Sequence, residues 1–456
     1  MKDFKELKNK HVLVLGMAKS GVSAANLLKK LGAEVLVNDI KADQPQELVD
    51  ELNRENIKMI LGSHPTNILS DNKIELIVKN PGIPYTNPVL VAAKKANIKI
   101  ISEPELASMV TDSEIIGITG SNGKTTVTTL IQLMLNYGNN HAFLAGNIGI
   151  PATSVVQKTT SEDKVVMELS SFMLAGIDKL HPHIAVINNI FSNHLDWHKT
   201  RENYVNDKMK ITQNQTESDY LVINWDREEW RELSKRSKAQ VVPFSRLDNS
   251  EKGTYQKDDT LYYKGEPIIK ADEIGIPGEQ NIENALAAIA VAKIEGVPNE
   301  QIVSVLKNFG GVKHRIQFVT EYKGRKFYND SKATDIEATQ VALHSFKSPI
   351  ILIAGGLDRG DDYTRLVPDM KPNVKEVIVN GQTSPKMIDA AKKAGIKVIK
   401  QSDKVYSSVK TAYQDSENGD IILLSPAAAS WDQYHTFEER GDEFIESVDE
   451  IVKGDK

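Results

Sequence analysis

Residues 115–130 read IIGITGSNGKTTVTTL. An apolar run of strand character enters the turn Gly120-Ser121-Asn122-Gly123-Lys124-Thr125-Thr126 and leaves it in a helical pattern. Glycines let successive backbone N–H groups point at one phosphate, and a helix N-terminus adds partial positive charge. The spacing predicts a phosphate-binding loop between a parallel strand and a helix. Lys124 would reach the terminal phosphates, and the Thr125 hydroxyl would ligate Mg²⁺. A strict Walker pattern has Gly five places before Gly123, where this chain has Ile118. The flanking strand and helix carry the assignment instead.

The same alternation extends in both directions. Upstream lie HVLVLG from His11, the helical GVSAANLLKKLG, AEVLVND ending at Asp39, IELIVKNPGIP from Ile74 and IKIIS from Ile98. Downstream come HAFLAG from His141, KVVMELSS from Lys164, IAVINNI from Ile184 and YLVINWD from Tyr220. A helix, NIENALAAIAVAKIEG, follows the Pro277-Gly278 turn. Beyond Gly310-Gly311 stand KFYNDS, PIILIAGG, VKEVIVNG, IKVIKQ and DIILLS. Strands alternating with helices mean βαβ units and parallel sheets. With 456 residues the chain has room for about three domains. The expected fold is therefore three consecutive α/β domains, over residues 1–103, 104–310 and 311–456.

Composition narrows the chemistry. The chain carries 56 Lys and Arg against 62 Asp and Glu, a net charge of -6. Phosphate-backbone binding needs a basic surface, so no nucleic-acid partner is expected, and no membrane-surface role either. The chain has no cysteine, which excludes disulfides, thiolate metal sites and a cysteine nucleophile. Met1–Leu7 lacks the apolar core of a leader, and no apolar run approaches a membrane span. A cytoplasmic protein is expected.

A phosphate loop needs a carboxylate for its metal. Glu168 closes the apolar run KVVMELSSF, where a charge is costly unless it is paired or faces a cation. NNIFSNHLDWH places His194, Asp196 and His198 at two-residue spacing. That spacing could serve a transition metal; the alternative is a polar loop with one structural histidine, the reading preferred for His198. His194, nearer the strand end, is the better candidate to face the site. In the first block, VLVLGMAKSGVS has Ala18 where a dinucleotide fingerprint has its middle glycine, which weakens a nicotinamide reading. Asp39 still ends the second strand, where such folds place an acid on a ribose hydroxyl. In the third block, polar clusters follow strands at Asn329–Thr334, Gly355–Arg359 and Ser425–Ser430. Ligands of open α/β sheets bind beyond the carboxyl ends of strands, so these clusters predict a composite site with Lys332 and Arg359 available for anionic groups.

Taken together, GSNGKTT, ELSSF, NHLDWH, PGEQNIENALAA, KHR, NDSKAT and SPAAASWDQYHTFEERG resemble the Mur ligases, in order and across nearly the whole chain. The resemblance implies a Rossmann-like N-terminal domain for a UDP-sugar, a central P-loop ATPase domain, and a C-terminal domain of dinucleotide-binding topology that takes an amino acid. It implies an ATP- and Mg²⁺-dependent amide ligation in peptidoglycan synthesis. The final segment and AGGLDRG point to UDP-N-acetylmuramoyl-L-alanine and D-glutamate as its substrates. A monomer is expected.

Site roles follow from the same resemblance. Gly120 to Thr126, with Lys124, would hold the ATP phosphates. Asn281, Asn284, Arg315, Asp330 and Lys332 match nucleotide contacts. Thr125, Glu168, His194 and Lys208 match the magnesium shell, with Lys208 corresponding to a lysine carbamylated by CO₂. Ser20, Asp39 and Asn80 would line the uridine-diphosphate site, Asn147 and Ser170 the sugar-peptide. Arg359, Ser430 and Phe437 would take D-glutamate. Lys124, Glu168, His194, Lys208 and Lys332 would be the catalytic set. Met173 stands where the family's best-known form has Gln, and Arg359 where Lys is common. The alternatives are a sister ligase, a folylpolyglutamate synthase, and a nucleotide-binding sensor that does not ligate.

Overall fold

The computed structural model describes residues 5–191 and 193–454; the first four residues, read above for a leader, lie outside it. Its five-stranded first sheet is parallel throughout. Strands β1 (His11–Leu15), β2 (Glu34–Asp39), β3 (Lys58–Leu61), β4 (Leu76–Lys79) and β5 (Lys99–Ser102) lie in the order β3-β2-β1-β4-β5. The order reverses between β1 and β4, which opens a crevice beyond their carboxyl ends.

A second sheet follows with nine strands: β6 (Glu114–Thr119), β7 (Ala142–Gly146), β8 (Lys164–Glu168), β9 (Ile184–Ile187), β10 (Tyr220–Asn224), β11 (Gln240–Ser245), β12 (Thr254–Lys257), β13 (Thr260–Tyr263) and β14 (Glu266–Lys270). They run β14-β13-β12-β11-β10-β9-β6-β8-β7. Strands β7 to β12 pair in parallel, and β13 and β14 add an antiparallel edge. β6 lies between β8 and β9, so the ends of all three converge on the turn that follows it.

Six strands make the third sheet: β15 (Gln317–Tyr322), β16 (Arg325–Asn329), β17 (Ile350–Ala354), β18 (Val374–Val379), β19 (Val398–Gln401) and β20 (Ile421–Leu424). Their order is β15-β16-β20-β17-β18-β19, with only β15 antiparallel. Because β20 lies between β16 and β17, the three polar clusters singled out in the sequence follow three neighbouring strands.

The strands form where they do because both faces are covered. In β17, Ile350, Leu352 and Ala354 join the core on one side, and Ile351 and Ile353 the core on the other. Such strands read as unbroken aliphatic runs, which is why they were visible in the sequence. The helix Glu279–Ile294 carries Ala285–Ala292, every residue of which is fully buried; a helix apolar all round belongs to a core. The strands the sequence reading did not name are β3, β11 to β15. β3 has no fully buried residue, and β12 to β14 have mixed burial patterns. No helix among the described residues is long and apolar enough to cross a membrane.

The chain forms two compact units. One comprises the residues up to Asp272 with Glu283–Val305 and holds the first two sheets; the other comprises Glu273–Ile282 with Leu306–Lys456 and holds the third. Within the first unit the two sheets are joined by buried carboxylates. Glu105 accepts from the backbone N–H groups of Asp178, Lys179 and Leu180 at 3.1, 2.8 and 2.9 Å. Glu103 accepts from Thr153 N and Oγ1, both at 2.6 Å, and the Thr153 hydroxyl also meets Ser23 Oγ at 2.7 Å. The other Glu103 oxygen is buried without a partner among the described residues.

Burial raises the Glu103 carboxyl to about 7, against the opposing hydrogen bonds from Thr153. Between the ordinary carboxyl range and pH 7 the native state therefore holds a proton that the unfolded chain has lost. Stability conferred by that proton is full below about pH 4.5 and falls as the pH rises toward 7. Glu103→Gln should flatten this slope and be more stable than wild type at pH 8, by up to about 3 kcal/mol. Urea denaturation at pH 5, 6.5 and 8 measures it; parallel pH profiles in the two proteins would refute the assignment.

Candidate active site

The turn after β6 is built around a left-handed residue. Gly123 has φ +78° and caps the helix Lys124–Leu135. A Cβ there would fall 2.1 Å from Asn284 Oδ1 and 2.3 Å from Asn188 Nδ2, so both conformation and space require glycine. Asn188 Nδ2 donates to Asn122 O at 3.1 Å and to Asn284 Oδ1 at 2.8 Å. Asn189 accepts from Ser121 N through its carbonyl and from Asn122 N through its side chain, each at 2.9 Å. Ser121 Oγ lies 2.8 Å from the Tyr204 hydroxyl and accepts from Phe191 N at 2.9 Å. The loop is thus braced from behind by β9's carboxyl end, leaving the first N–H groups of the helix to face a ligand. Asn188, Asn189 and Tyr204 were not named from the sequence. A pair of adjacent asparagines at a strand end was the available signal.

Two lysines share this loop. Lys124 Nζ donates to the carbonyls of Gly120 and Ser121 at 3.0 and 2.9 Å. Lys208 is 1% exposed; its Nζ donates to Gly120 O at 2.7 Å and Thr119 Oγ1 at 3.3 Å, and lies over the Tyr204 ring. Burial, and then the Lys124 charge, holds the Lys208 amine well below the ordinary lysine range; Glu168 opposes the shift. Glu168 is itself buried at the end of β8, in register with Ile118 of β6. One of its oxygens accepts from Asn147 Nδ2 at 2.8 Å, and the other is buried with no partner among the described residues. Thr125 and Thr126 are buried in the first helical turn. Ser170 caps the helix Ser171–Leu174 by accepting from Met173 N at 3.3 Å.

His194 has φ +54°, and its exposed ring packs on Phe172 at 4.9 Å. His198 is differently placed: Nδ1 lies 3.0 Å from Asp207 and Nε2 2.9 Å from Ser171 Oγ, with the ring stacked on Phe172. Both of its nitrogens are engaged, which is the position of a structural histidine. Among the described residues no three His, Asp or Glu side chains gather into a metal-binding group. The two-residue spacing therefore does not assemble a transition-metal centre from its described members; the Asp196 side chain lies outside them.

In the first sheet, Asn80 Nδ2 donates to Ser20 Oγ at 3.3 Å. A Cβ on Gly16, which has φ +101°, would fall 2.6 Å from Asn80 Cβ. Asp39 accepts from Met17 N at 2.7 Å and from Lys41 N at 2.9 Å, so the acid expected on a ribose also holds the Gly16–Ala18 turn.

The third sheet brings its clusters onto one edge. Asp330 follows β16 fully buried and accepts from Ser425 Oγ at 2.8 Å and Ile316 N at 3.1 Å. Burial raises its carboxyl to about 7, while the Ser425 and Ile316 hydrogen bonds and the Arg315 charge oppose the shift. Lys332 Nζ lies 5.3 Å from the centre of the Phe437 ring. Ser430 is buried with its hydroxyl unpartnered, and Arg359 is exposed on the loop after β17. Arg440 was quoted within the last motif but given no role. Its buried guanidinium, lowered to about 10 by desolvation, donates to Ser331 Oγ and O at 3.0 and 2.9 Å and to Ala428 O at 3.0 Å. It ties the loops after β16 and β20 together. Asn281 and Asn284 sit in the helix Glu279–Ile294; Asn281 Nδ2 donates to Pro277 O at 2.6 Å.

Three family models match the chain in succession: a MurD-like Mur ligase N-terminal domain over residues 10–102, a Mur ligase middle domain over 118–292, and a Mur ligase glutamate ligase domain over 314–428. The chain is 70% identical over 455 residues to the UDP-N-acetylmuramoylalanine–D-glutamate ligase of Pediococcus pentosaceus, covering all of both chains. It is 55% identical to the protein of that name from Lactiplantibacillus plantarum, over 99% of each. Among solved structures, the UDP-N-acetylmuramate–alanine ligase of Thermotoga maritima aligns with a TM-score of 0.59 at 19% identity, over 98% of this chain and 99% of that one. That likeness extends the shared three-domain fold to a distant sequence.

Gly123→Ala tests the loop geometry without removing any polar group. The added methyl displaces Asn188 and Asn284 and disfavours the backbone conformation, so the dissociation constant for ATP should rise at least about tenfold. Calorimetric titration with ATP and Mg²⁺ measures it, and wild-type affinity would refute the role of the asparagine brace.

Proposed function

The chain belongs to the Mur ligase family, and from that premise we propose that it joins D-glutamate to UDP-N-acetylmuramoyl-L-alanine with cleavage of ATP to ADP and phosphate. The geometric observation that carries the reading is Glu168. A buried carboxylate with one unpartnered oxygen, beside the buried Lys208 and below a phosphate loop, suits a cation that meets triphosphate. The full-length identity to relatives named for this reaction supports the choice of substrates.

A carboxylate is a poor electrophile. Transfer of the γ-phosphoryl group to the carboxylate of the alanyl substrate converts an oxide into a phosphate leaving group. The D-glutamate amine then adds to that carbonyl, loses a proton, and the tetrahedral adduct collapses to an amide and phosphate. Positioning and charge stabilisation account for most catalysis of phosphoryl transfer. In this reading the 120–126 loop and Lys124 orient the triphosphate. Asn281, Asn284, Arg315, Asp330 and Lys332 serve the nucleotide. Ser20, Asp39 and Asn80 seat the uridine diphosphate, Asn147 and Ser170 the sugar-peptide. Arg359 supplies charge for a side-chain carboxylate of D-glutamate, with Ser430 and Phe437 shaping its pocket. Residues 1–103, 104–310 and 311–456 correspond to the three binding tasks.

Magnesium fits the Thr125, Glu168 and His194 donor set, because Glu168 keeps a buried oxygen without a partner. When bound it would screen the charge of the transferring phosphoryl group. Lys208 joins that set only if its amine is carbamylated. Carbamylation requires the neutral amine, and burial together with Lys124 favours that form. The carbamate would place an anion beneath the loop.

The test is phosphate release from ATP and Mg²⁺ with UDP-N-acetylmuramoyl-L-alanine, adding D-glutamate, L-glutamate, L-lysine or meso-diaminopimelate in turn. Release only with D-glutamate is expected; release with another amino acid would assign a sister reaction. Lys208→Ala should lose at least about 99% of turnover, given the ~10²-fold worth of a preorganised charged group. Small carboxylic acids should restore part of it and bicarbonate none; wild-type turnover by this variant would rule the carbamate out.

A further inference from the structure

Lys79 ends β4 with its side chain fully buried. Its ammonium donates to Pro81 O at 3.0 Å and lies 5.1 and 5.7 Å from the ring centres of Tyr85 and Trp197. Among the described residues it pairs with no carboxylate. Asp207, whose charge favours the ammonium, is already paired with His198 at 3.0 Å and Lys210 at 2.8 Å. Desolvation lowers the amine to about 7. Replacing such a buried charge by an apolar side chain of similar volume is commonly neutral or stabilising. A costly group of this kind concentrates at functional sites.

Its surroundings name the function. The loop that Lys79 enters carries Asn80, the partner of Ser20. On the other side, Trp197 packs on Phe172 at 5.0 Å, and Phe172 on His194 at 4.9 Å. Among the described residues two further polar groups nearby are buried without partners: the Trp197 indole N–H, and Ser102 Oγ, whose residue is Lys79's partner in the β4–β5 register. Lys79 is thus the polar contact between the Asn80 loop and the aromatic wall that supports His194.

We propose that Lys79 is a positioning residue for the nucleotide-sugar substrate, holding the Pro81 carbonyl and the Trp197 ring in one arrangement so that filling the Asn80–Ser20 crevice presents the substrate's carboxylate to Glu168 and His194. This rests on the reading above that Asn80 and Ser20 line the uridine-diphosphate site. Lys79 touches neither ATP nor D-glutamate in this scheme, so its effect is confined to one substrate.

The experiment uses full-length Lys79→Met, with Lys79→Gln as a second variant that keeps a donor toward Pro81 without the charge. For Lys79→Met the melting temperature should equal or exceed that of wild type. Its KM and Kd for UDP-N-acetylmuramoyl-L-alanine should rise about tenfold, while KM for ATP and D-glutamate stays within about twofold. Lys79→Gln should fall between wild type and Lys79→Met, and it supplies the KM comparison should Lys79→Met not fold. Unchanged KM for the nucleotide sugar in a folded variant would overturn the proposal. So would equal rises in all three KM values with a lowered melting temperature, the pattern of a merely structural lysine. Failure of wild type itself to release phosphate with D-glutamate would overturn the reaction assigned above, and this role with it.

Discussion

Everything in the central domain answers to one constraint: charged groups are buried under a loop that must present backbone N–H groups outward. Lys208 has no exposed surface to speak of and gives its hydrogen bonds to Gly120 and Thr119. Glu168 has an oxygen with nothing to accept from. In water neither would need a partner. Inside the protein they oblige the surrounding strands to converge, because only strand ends and short polar side chains can surround charge without leaving further backbone groups unsatisfied. The sheet order, with β6 between β8 and β9, supplies that convergence. The asparagines after β9 then hold the loop from behind, so that its curvature does not depend on a ligand.

The same logic recurs in the third domain. There Arg440 is the buried charge, and carbonyl oxygens from the loops after two neighbouring strands meet it. Asp330, also buried, is held by a hydroxyl and a backbone N–H. In both of these domains a buried ionisable group fixes the loops on which candidate site residues sit. Rigid support of this kind is what positions reacting groups to within fractions of an ångström.

How much of this was legible in the sequence depends on what each residue is doing. Strands covered on both faces, such as β1, β6, β8, β17 and β20, announce themselves as aliphatic runs, and the polar residues that end them mark the sites. The residues proposed to meet ligands stand out in the sequence because their types are unusual close to strand ends: Lys124, Glu168, Asp330 and Lys332. Half-covered strands such as β12 to β14 were not found, since mixed burial over four or five residues is a weak pattern. Supporting residues were harder still. Asn188, Tyr204 and Arg440 have ordinary chemistry at ordinary positions, and only the fold brings them to the loops they brace. Lys79 follows an aliphatic run much as Glu168 does, but a lysine beside a strand end also reads as solvent-facing, and burial is what separates the two. His198 shows the reverse case, where a suggestive spacing resolves into a histidine with both nitrogens occupied.

The placement of β20 has a consequence for the nascent chain. This strand, Ile421–Leu424, follows every other strand of the third sheet in the chain, yet it is central to that sheet and separates β16 from β17. Arg440 lies later still. A ribosome releasing the chain from its N-terminus can complete the first two sheets while translation continues, but β16 and β17 wait with their facing edges open until β20 emerges, after β18 and β19. Parallel pairing between distant segments is slow to form, and open strand edges are the surfaces on which chains associate wrongly. The third sheet is therefore the part of this fold that closes late and the part most in need of protection during synthesis.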